Sequence, residues 1–163
     1  METQIHQHYM QMALRQAQKA ADAGEVPTGC VIISMGDGTD KEPPRLIASA
    51  HNQTELLKDP TAHAEMIAIT QAAAALENWR LLNTILYVTK EPCSMCAGAI
   101  VLARIPIVVY GVSDPQRGGI SAFNLLDQPN LNHKSKVIGG ILEHECRDML
   151  QNFFRTRRKE RHE

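Results

Sequence analysis

The chain has 163 residues, of which 44% are hydrophobic and 21% are charged, and its formal net charge is −1. This composition excludes an intrinsically disordered chain, because a sequence of this length and apolar content can bury a sizeable core. The near-neutral charge does not match the strongly basic composition of a dedicated nucleic-acid-binding protein. We expect a single domain over residues 1–163, in which any attraction to nucleic acid is local.

The N-terminus and the cysteines indicate a cytoplasmic protein. The first residues lack a basic start followed by an apolar stretch, and the most apolar region, residues 96–112, is interrupted by Arg104 and Pro106. We therefore expect neither a secretory signal nor a membrane span. Cys30 and Cys146 lie in apolar segments and are predicted to be buried free thiols, since a chain with this much core needs no disulfides.

The first half of the chain predicts two helices and two strands. Apolar residues at helical spacing predict an amphipathic helix over residues 3–23. Two short β-branched segments predict strands that could pair as a hairpin, at residues 29–34 and 46–48. Asp59 and Pro60 predict a helix start, because aspartate caps helices and proline is tolerated in the first turn; that helix continues through residues 66–76.

The second half predicts three further strands and two further helices. The strands are expected at residues 85–89, at 107–110 and near 137–138, and the helices at residues 93–103 and 142–158. Helices that alternate with strands in this way predict the α/β class. We expect a three-layer α/β/α sandwich with a central mixed sheet of about five strands, whose order the pattern leaves open.

Two short motifs hold candidate metal ligands: H-A-E at residues 63–65 and P-C-S-M-C at residues 92–96. Cys93 and Cys96 are three residues apart, so their sulfurs share one face of a helix, and the helix dipole favours their thiolate forms. With His63 they make three ligands. Structural zinc sites have four protein ligands, so this set predicts an open, catalytic site with one zinc ion.

Glu65 is predicted to act as a base beside the metal. It lies two residues from His63 and would face away from that ligand on a helix, which disfavours it as a fourth ligand. Alone, the C-x-x-C pair is a weak signal, since two cysteines at this spacing could also be a redox pair or two core thiols. An upstream H-x-E together with a downstream P-C-x-x-C is instead the signature of zinc-dependent nucleobase and nucleoside deaminases.

The similarity extends well beyond this signature. Four segments, D-P-T-A-H-A-E at 59–65, E-P-C-S-M-C-A-G-A at 91–99, N-H at 132–133 and F-F-R-T-R-R at 153–158, resemble the family of bacterial tRNA adenosine deaminases. The resemblance covers about residues 9–158. It implies a cytidine deaminase-like fold, one zinc ion per subunit, a homodimer, and conversion of the wobble adenosine (A34) in a tRNA anticodon stem-loop to inosine.

The resemblance also implies roles for individual residues. Glu65 would move the protons, Asn52 would contact the purine nucleoside, backbone groups near Ala64 would anchor the base, and Asp114 would lie beside the bound RNA. Without the resemblance, Asn52 and Asp114 would be ordinary turn residues.

The C-terminal segment is the one strongly basic part of the sequence. Residues 153–163 contain five arginine or lysine residues and two glutamates, a net charge of 5 − 2 = +3. The resemblance places this segment near RNA, where phosphate contacts would give salt-dependent binding. The candidate RNA contacts are Phe154, Arg155, Arg157 and Arg158. The alternative is a solvated helix face with no ligand.

The chain departs from the family pattern at three places. The connection over residues 35–45 is longer, His51 stands where an aromatic residue often precedes the asparagine, and Cys30 replaces a smaller residue. Two other functions stay open: a deaminase of free bases or nucleosides, such as guanine deaminase, and a non-catalytic zinc module that binds RNA. The presence of Glu65 argues against the second, because a non-catalytic relative has no need of the base.

Overall fold

A five-stranded sheet forms the centre of the computed structural model, which describes residues 2–162; Met1 and Glu163, the ends of the predicted domain, lie outside the described residues. The strands are β1 (Gly29–Ser34), β2 (Arg45–His51), β3 (Thr84–Lys90), β4 (Ile107–Val112) and β5 (Lys136–Ile138). Their order is β2-β1-β3-β4-β5. Strand β1 is antiparallel to both of its neighbours, whereas β3, β4 and β5 are parallel. The sheet is therefore mixed, as predicted.

Helices cover both faces of this sheet. They are α1 (Glu2–Asp22), α2 (Thr54–Leu57), α3 (Ala64–Leu76), α4 (Ser94–Ala103) and α5 (Glu143–His162). On β1, Cys30 and Ile32 pack in the core layer that contains α3 and α4, while Val31 and Ile33 pack in the layer that contains α1 and α5. Because alternate residues of a strand point to opposite faces, β1 has apolar residues throughout its central part, Cys30 to Ile33. The predicted three-layer α/β/α sandwich is confirmed.

The predicted helix start at Asp59 and Pro60 is wrong. The Asp59 carboxylate accepts hydrogen bonds from the backbone N–H and the hydroxyl of Thr61, both at 2.8 Å, and so stabilises a turn instead of a helix end. Residue His63 is still extended, and α3 begins only at Ala64. The single-turn helix α2 is not predicted by the sequence pattern.

Two smaller expectations can also be compared with the structure. Cys30 and Cys146 are both free thiols, and their exposed fractions are 0% and 1%. Burial raises the pKa of each thiol, that of Cys146 to about 12. Within residues 2–162, none of the helices combines the length and the apolar character needed to cross a bilayer.

Candidate active site

The candidate site residues follow strands that run in the same direction. Strands β2 and β3 are both antiparallel to β1, and β4 is parallel to β3. Their carboxyl ends therefore lie at one edge of the sheet. Asn52 follows β2 directly, Cys93 follows β3 after two residues, and Asp114 follows β4 after one residue. This edge is where ligands bind in many open α/β sheets.

The two motif helices begin beside each other at this edge. His63 is the residue before α3, and Cys93 is the residue before α4; both have extended backbones. The Nδ1 atom of His63 lies 3.5 Å from the sulfur of Cys93 and 3.5 Å from the sulfur of Cys96. Ala64 is buried at the first position of α3, so its N–H is one of the donors that a helix start leaves without an intrahelical acceptor.

The three side chains fit a zinc ion. Their ligand atoms all lie within 4.8 Å of one another. A tetrahedral ion with Zn–S and Zn–N distances of about 2.3 Å and 2.05 Å would separate nitrogen and sulfur by about 3.6 Å. The two separations from His63 match this value. Two sulfurs and one imidazole are also a donor set that zinc prefers.

The ligand side chains alter one another's proton affinity. The hydrogen bond from Cys96, supported by His63, lowers the pKa of Cys93 to about 3. The same hydrogen bond, together with burial, raises the pKa of Cys96, and the contact with Cys93 raises that of His63. The lowered pKa favours the thiolate form of Cys93, which is the form in which cysteine binds metals.

Glu65 is buried beside the three ligands, with 3% of its surface exposed. Burial raises the pKa of its carboxyl group to about 7, so the group can take up and release a proton near neutral pH. The expectation that Glu65 faces away from His63 along a shared helix does not hold. His63 precedes α3, and both side chains line the same cavity. Among residues 2–162, the group of three ligands does not include Glu65.

A cavity of about 320 Å³, here called the central cavity, brings most of the predicted site residues together. His63, Glu65, Cys93, Asn52 and Asp114 all line it. Asn52 is only 7% exposed, and its backbone N–H donates to the carbonyl of Thr28 at 3.1 Å. The other lining residues are Val26, Thr28, Thr54, Lys90, Glu91 and Arg117. The cavity is large enough for a nucleobase.

One buried carboxylate holds the loop that carries Asp114. Glu91, 3% exposed, accepts hydrogen bonds from the backbone N–H of Asp114 at 3.0 Å, of Ile120 at 3.0 Å and of Ser121 at 2.7 Å. These bonds, with others from the hydroxyls of Ser121 and Ser113, outweigh burial and lower the pKa of Glu91. The loop also lies beside the segment that carries Cys93, because the N–H of Gly119 donates to the carbonyl of Pro92 at 2.8 Å.

Two cationic residues in the lining of the central cavity, Lys90 and Arg117, are not predicted by the sequence pattern. The Lys90 ammonium lies 3.4 Å from the Asp114 carboxylate, which also accepts the backbone N–H of Arg117 at 3.1 Å. Lys90 lies two residues before Pro92, so its closeness in sequence to the P-C-S-M-C motif could have indicated that it lies near the site. His51, a departure from the family pattern, is half-buried, and its Nδ1 lies 3.1 Å from the carbonyl oxygen of Asn52.

The basic C-terminal helix lines a second pocket, of about 330 Å³, here called the tail pocket. Its lining residues are Gly24, Val26, Thr54, Glu55, Phe153, Phe154, Arg157, Arg158 and Arg161. Val26 and Thr54 line the central cavity as well, so the two spaces are neighbours. Arg157 donates to the carbonyl of Gly24 and lies 5.0 Å from the ring centre of Phe153. Arg155 is outside the pocket lining and donates to Asn152 at 3.3 Å.

Known proteins resemble this chain over most of its length. A profile of the MafB19-like deaminase family matches residues 4–158. The tRNA-specific adenosine deaminase of Bacillus subtilis (strain 168) is 46% identical over 155 residues, which cover 94% of this chain and 91% of that protein. The protein of the same name from Aquifex aeolicus (strain VF5) is 44% identical over 153 residues, which cover 93% of this chain and 95% of that protein.

Solved structures share the same fold. One, from a study of A-to-I editing by tRNA:A34 deaminases at the wobble position of transfer RNA, superposes with a TM-score of 0.79 at 42% identity. The aligned residues make up 88% of this chain and 99% of the chain in that structure. Guanine deaminase from Bacillus subtilis superposes with a TM-score of 0.58 at 31% identity and covers 79% of this chain and 81% of that chain.

Replacing Cys93 with alanine should remove the metal, because an imidazole and a single thiolate leave too few ligands for tight binding. Elemental analysis of the purified protein measures zinc per chain. The matched control is Cys146→Ala, which removes a buried thiol on the opposite side of the sheet. It should keep its zinc and lose only about 1 kcal/mol of stability. Full zinc occupancy in the Cys93 variant would show that the ligand set is wrong.

Proposed function

This chain belongs to the MafB19-like deaminase family and to the tRNA-specific adenosine deaminases, and on that premise we propose that it converts adenosine to inosine at the wobble position (A34) of tRNA. The single observation that carries the proposal is the geometry of the central cavity. A three-ligand metal group and a buried glutamate meet in a space of nucleobase size, beside a pocket lined by arginines. The proposed site of action is the cytoplasm.

The reaction exchanges an amino group for oxygen. When bound by His63, Cys93 and Cys96, a zinc ion supplies the Lewis acidity that makes water nucleophilic at neutral pH. The carbon–nitrogen bond at C6 of adenine breaks, a carbon–oxygen bond forms, and ammonia leaves. Glu65 carries one proton of the water to the ring nitrogen N1 and the other to the departing amino group.

Burial and position support this role for Glu65. The carboxyl group is almost fully buried and lines the central cavity, so it can pass protons to reactants that are bound there. Asn52 and Asp114 line the same cavity, where an amide and a carboxylate can hydrogen-bond a purine nucleoside. The N–H of Ala64 at the start of α3 is a suitable donor for a developing negative charge on the base.

The rival substrates differ in what they need outside the central cavity. A guanine deaminase must enclose a free base and has no use for a second, cationic pocket. Here the tail pocket adjoins the central cavity and presents Arg157, Arg158 and Arg161 beside Phe154. Aromatic rings and guanidinium groups in one groove are typical of single-stranded nucleic-acid binding. This observation favours a nucleotide within a polymer as the substrate.

The pure protein should produce inosine in an anticodon stem-loop that contains A34, and not in one that carries G34. The same preparation should be inactive with free guanine, cytidine and adenosine, because these ligands do not reach the tail pocket. Inosine is measured by chromatography after nuclease digestion, and ammonia release covers the free bases. Activity on free guanine alone would refute the tRNA assignment.

Glu65→Gln is the matched control for this assay. The variant has nearly the same shape as the parent and leaves the three ligands in place, so it should retain zinc and lose inosine formation by at least about 100-fold, in keeping with loss of a general acid–base group. Turnover at the parental rate would falsify the role of Glu65.

We also propose that Phe154, Arg155, Arg157 and Arg158 contact the RNA. Arg158 is exposed and lines the tail pocket, while Arg157 lines the same pocket and also donates to Gly24, which ties the helix to the connection between α1 and β1. Arg155 lies on the same exposed helix outside that pocket. Phosphate contacts by these side chains would release counterions and make binding salt-dependent.

Arg158→Gln should weaken stem-loop binding, and the plot of log affinity against log salt should become shallower by about 0.7–0.9 for each phosphate that the variant no longer neutralises. Fluorescence anisotropy with labelled stem-loop measures both quantities. Arg147→Gln is the control, since Arg147 is on the same helix but pairs with Glu143 and lies outside the tail pocket. Identical salt slopes in the two variants would refute an RNA contact by Arg158.

A homodimer is proposed on the basis of an apolar groove along α4. This α4 groove is lined by Met66, Ser94, Met95, Gly98, Ala99, Val101, Leu102, Leu125 and Leu131. Leu102 exposes 70% of its surface there. A contiguous apolar surface of this kind is typical of a protein interface. Met66 and Met95 adjoin Glu65 and Cys96 in sequence, so the interface would lie close to the active site.

Leu102→Glu should convert the dimer to a monomer, because it places a charge in the proposed interface. Light scattering coupled to size-exclusion chromatography should give twice 18.1 kDa for the parent and 18.1 kDa for the variant. Leu82→Glu changes another exposed leucine, 61% exposed and outside the α4 groove, and should remain dimeric. A parent of 18.1 kDa would contradict the homodimer.

A further inference from the structure

A second buried carboxylate, Glu25, holds a segment next to the central cavity. It lies in the connection between α1 and β1 and is only 2% exposed. One carboxylate oxygen accepts the backbone N–H of Glu55 at 2.9 Å, and the other accepts the backbone N–H of Leu56 at 2.8 Å. The hydroxyl of Thr54 lies 3.4 Å from the first of these oxygens. Both oxygens are therefore used by one short segment.

That segment is helix α2, which needs support from outside. Four residues are too few for a stable isolated helix, and the first N–H groups of any helix have no intrahelical acceptor. The usual capping partner is the residue before the helix, but the Gln53 side chain makes no capping hydrogen bond. Glu25 supplies the missing acceptors from about 30 residues away in the sequence.

The position of α2 matters because it separates the two proposed substrate spaces. Thr54, its first residue, lines both the central cavity and the tail pocket, as does Val26, the neighbour of Glu25. Asn52 lies two residues before α2 and lines the central cavity. Fixing α2 to the α1–β1 connection thus fixes the wall between the two spaces.

We propose that Glu25 is a positioning residue for the polynucleotide substrate: its carboxylate clamps α2 and so holds the wall shared by the central cavity and the tail pocket. This inference rests on the proposed function. Glu25 hydrogen-bonds neither the metal ligands nor Glu65 among the described contacts, and the link from α2 to the His63 segment runs through backbone hydrogen bonds such as that from Gln53 N–H to the carbonyl of Ala62 at 3.0 Å. Its effect should therefore be on substrate binding and not on proton transfer.

Glu25→Gln tests the clamp with little change in shape. Glutamine offers only one acceptor oxygen. Its NH₂ group can only donate, so one of the two backbone N–H groups would face another donor and lose its hydrogen bond. The KM for the anticodon stem-loop should rise roughly tenfold, while kcat stays within about threefold and zinc content stays at one per chain. Hydrogen exchange at the amides of Glu55 and Leu56 should become faster.

Glu42→Gln is the control, since it removes the same charge from an exposed loop outside both spaces and should leave KM unchanged. If Glu25→Gln does not fold, Glu25→Asp is used instead. This variant keeps the carboxylate but shortens the side chain, so it should also raise KM for the stem-loop. A folded variant with parental KM, or one that loses zinc and kcat together, would overturn the inference. Inactivity of the parent on the stem-loop would instead refute the proposed function, and the exchange measurement would still report on the clamp.

Discussion

The meeting of two helix starts at one edge of the sheet is the constraint on which the site depends. Strands β2 and β3 run in the same direction on either side of β1, so the helices that follow them begin at the same edge. His63 and Cys93 occupy the extended positions just before those helices. Two distant parts of the sequence thereby deliver an imidazole and two sulfurs to one point, and the helix dipoles favour the thiolate there.

Three buried glutamates illustrate how local donors decide the role of a carboxyl group. Glu91 and Glu25 receive backbone N–H groups on both oxygens, which fixes each of them as a loop anchor. Glu65 is equally buried, but here the effect of burial outweighs that of the hydrogen bonds and of His63, and it raises the pKa of the carboxyl group to about 7. A carboxyl group with that proton affinity can exchange protons, whereas the two anchors stay in place and shape the space in which it works.

The two neighbouring pockets connect the catalytic geometry to substrate choice. The same fold occurs in a guanine deaminase, so the sandwich itself does not select the substrate. In the proposed function, selection depends on what adjoins the central cavity. Here the C-terminal helix closes one side, tied to the connection between α1 and β1 by the bond from Arg157 to Gly24, and Arg158 and Phe154 line the tail pocket.

The sequence by itself determined the α/β class, most strands and helices, and the ligand and base motif, because periodicity and short spacings are local properties. It misplaced the start of α3, since the turn at Asp59 competes with a helix cap, and it gave no sign of α2. Only the tertiary structure decided that Glu25 anchors α2 and that Lys90 lies beside Asp114. Such contacts join residues 24 to 31 positions apart, and no local pattern encodes which distant segment folding will bring close.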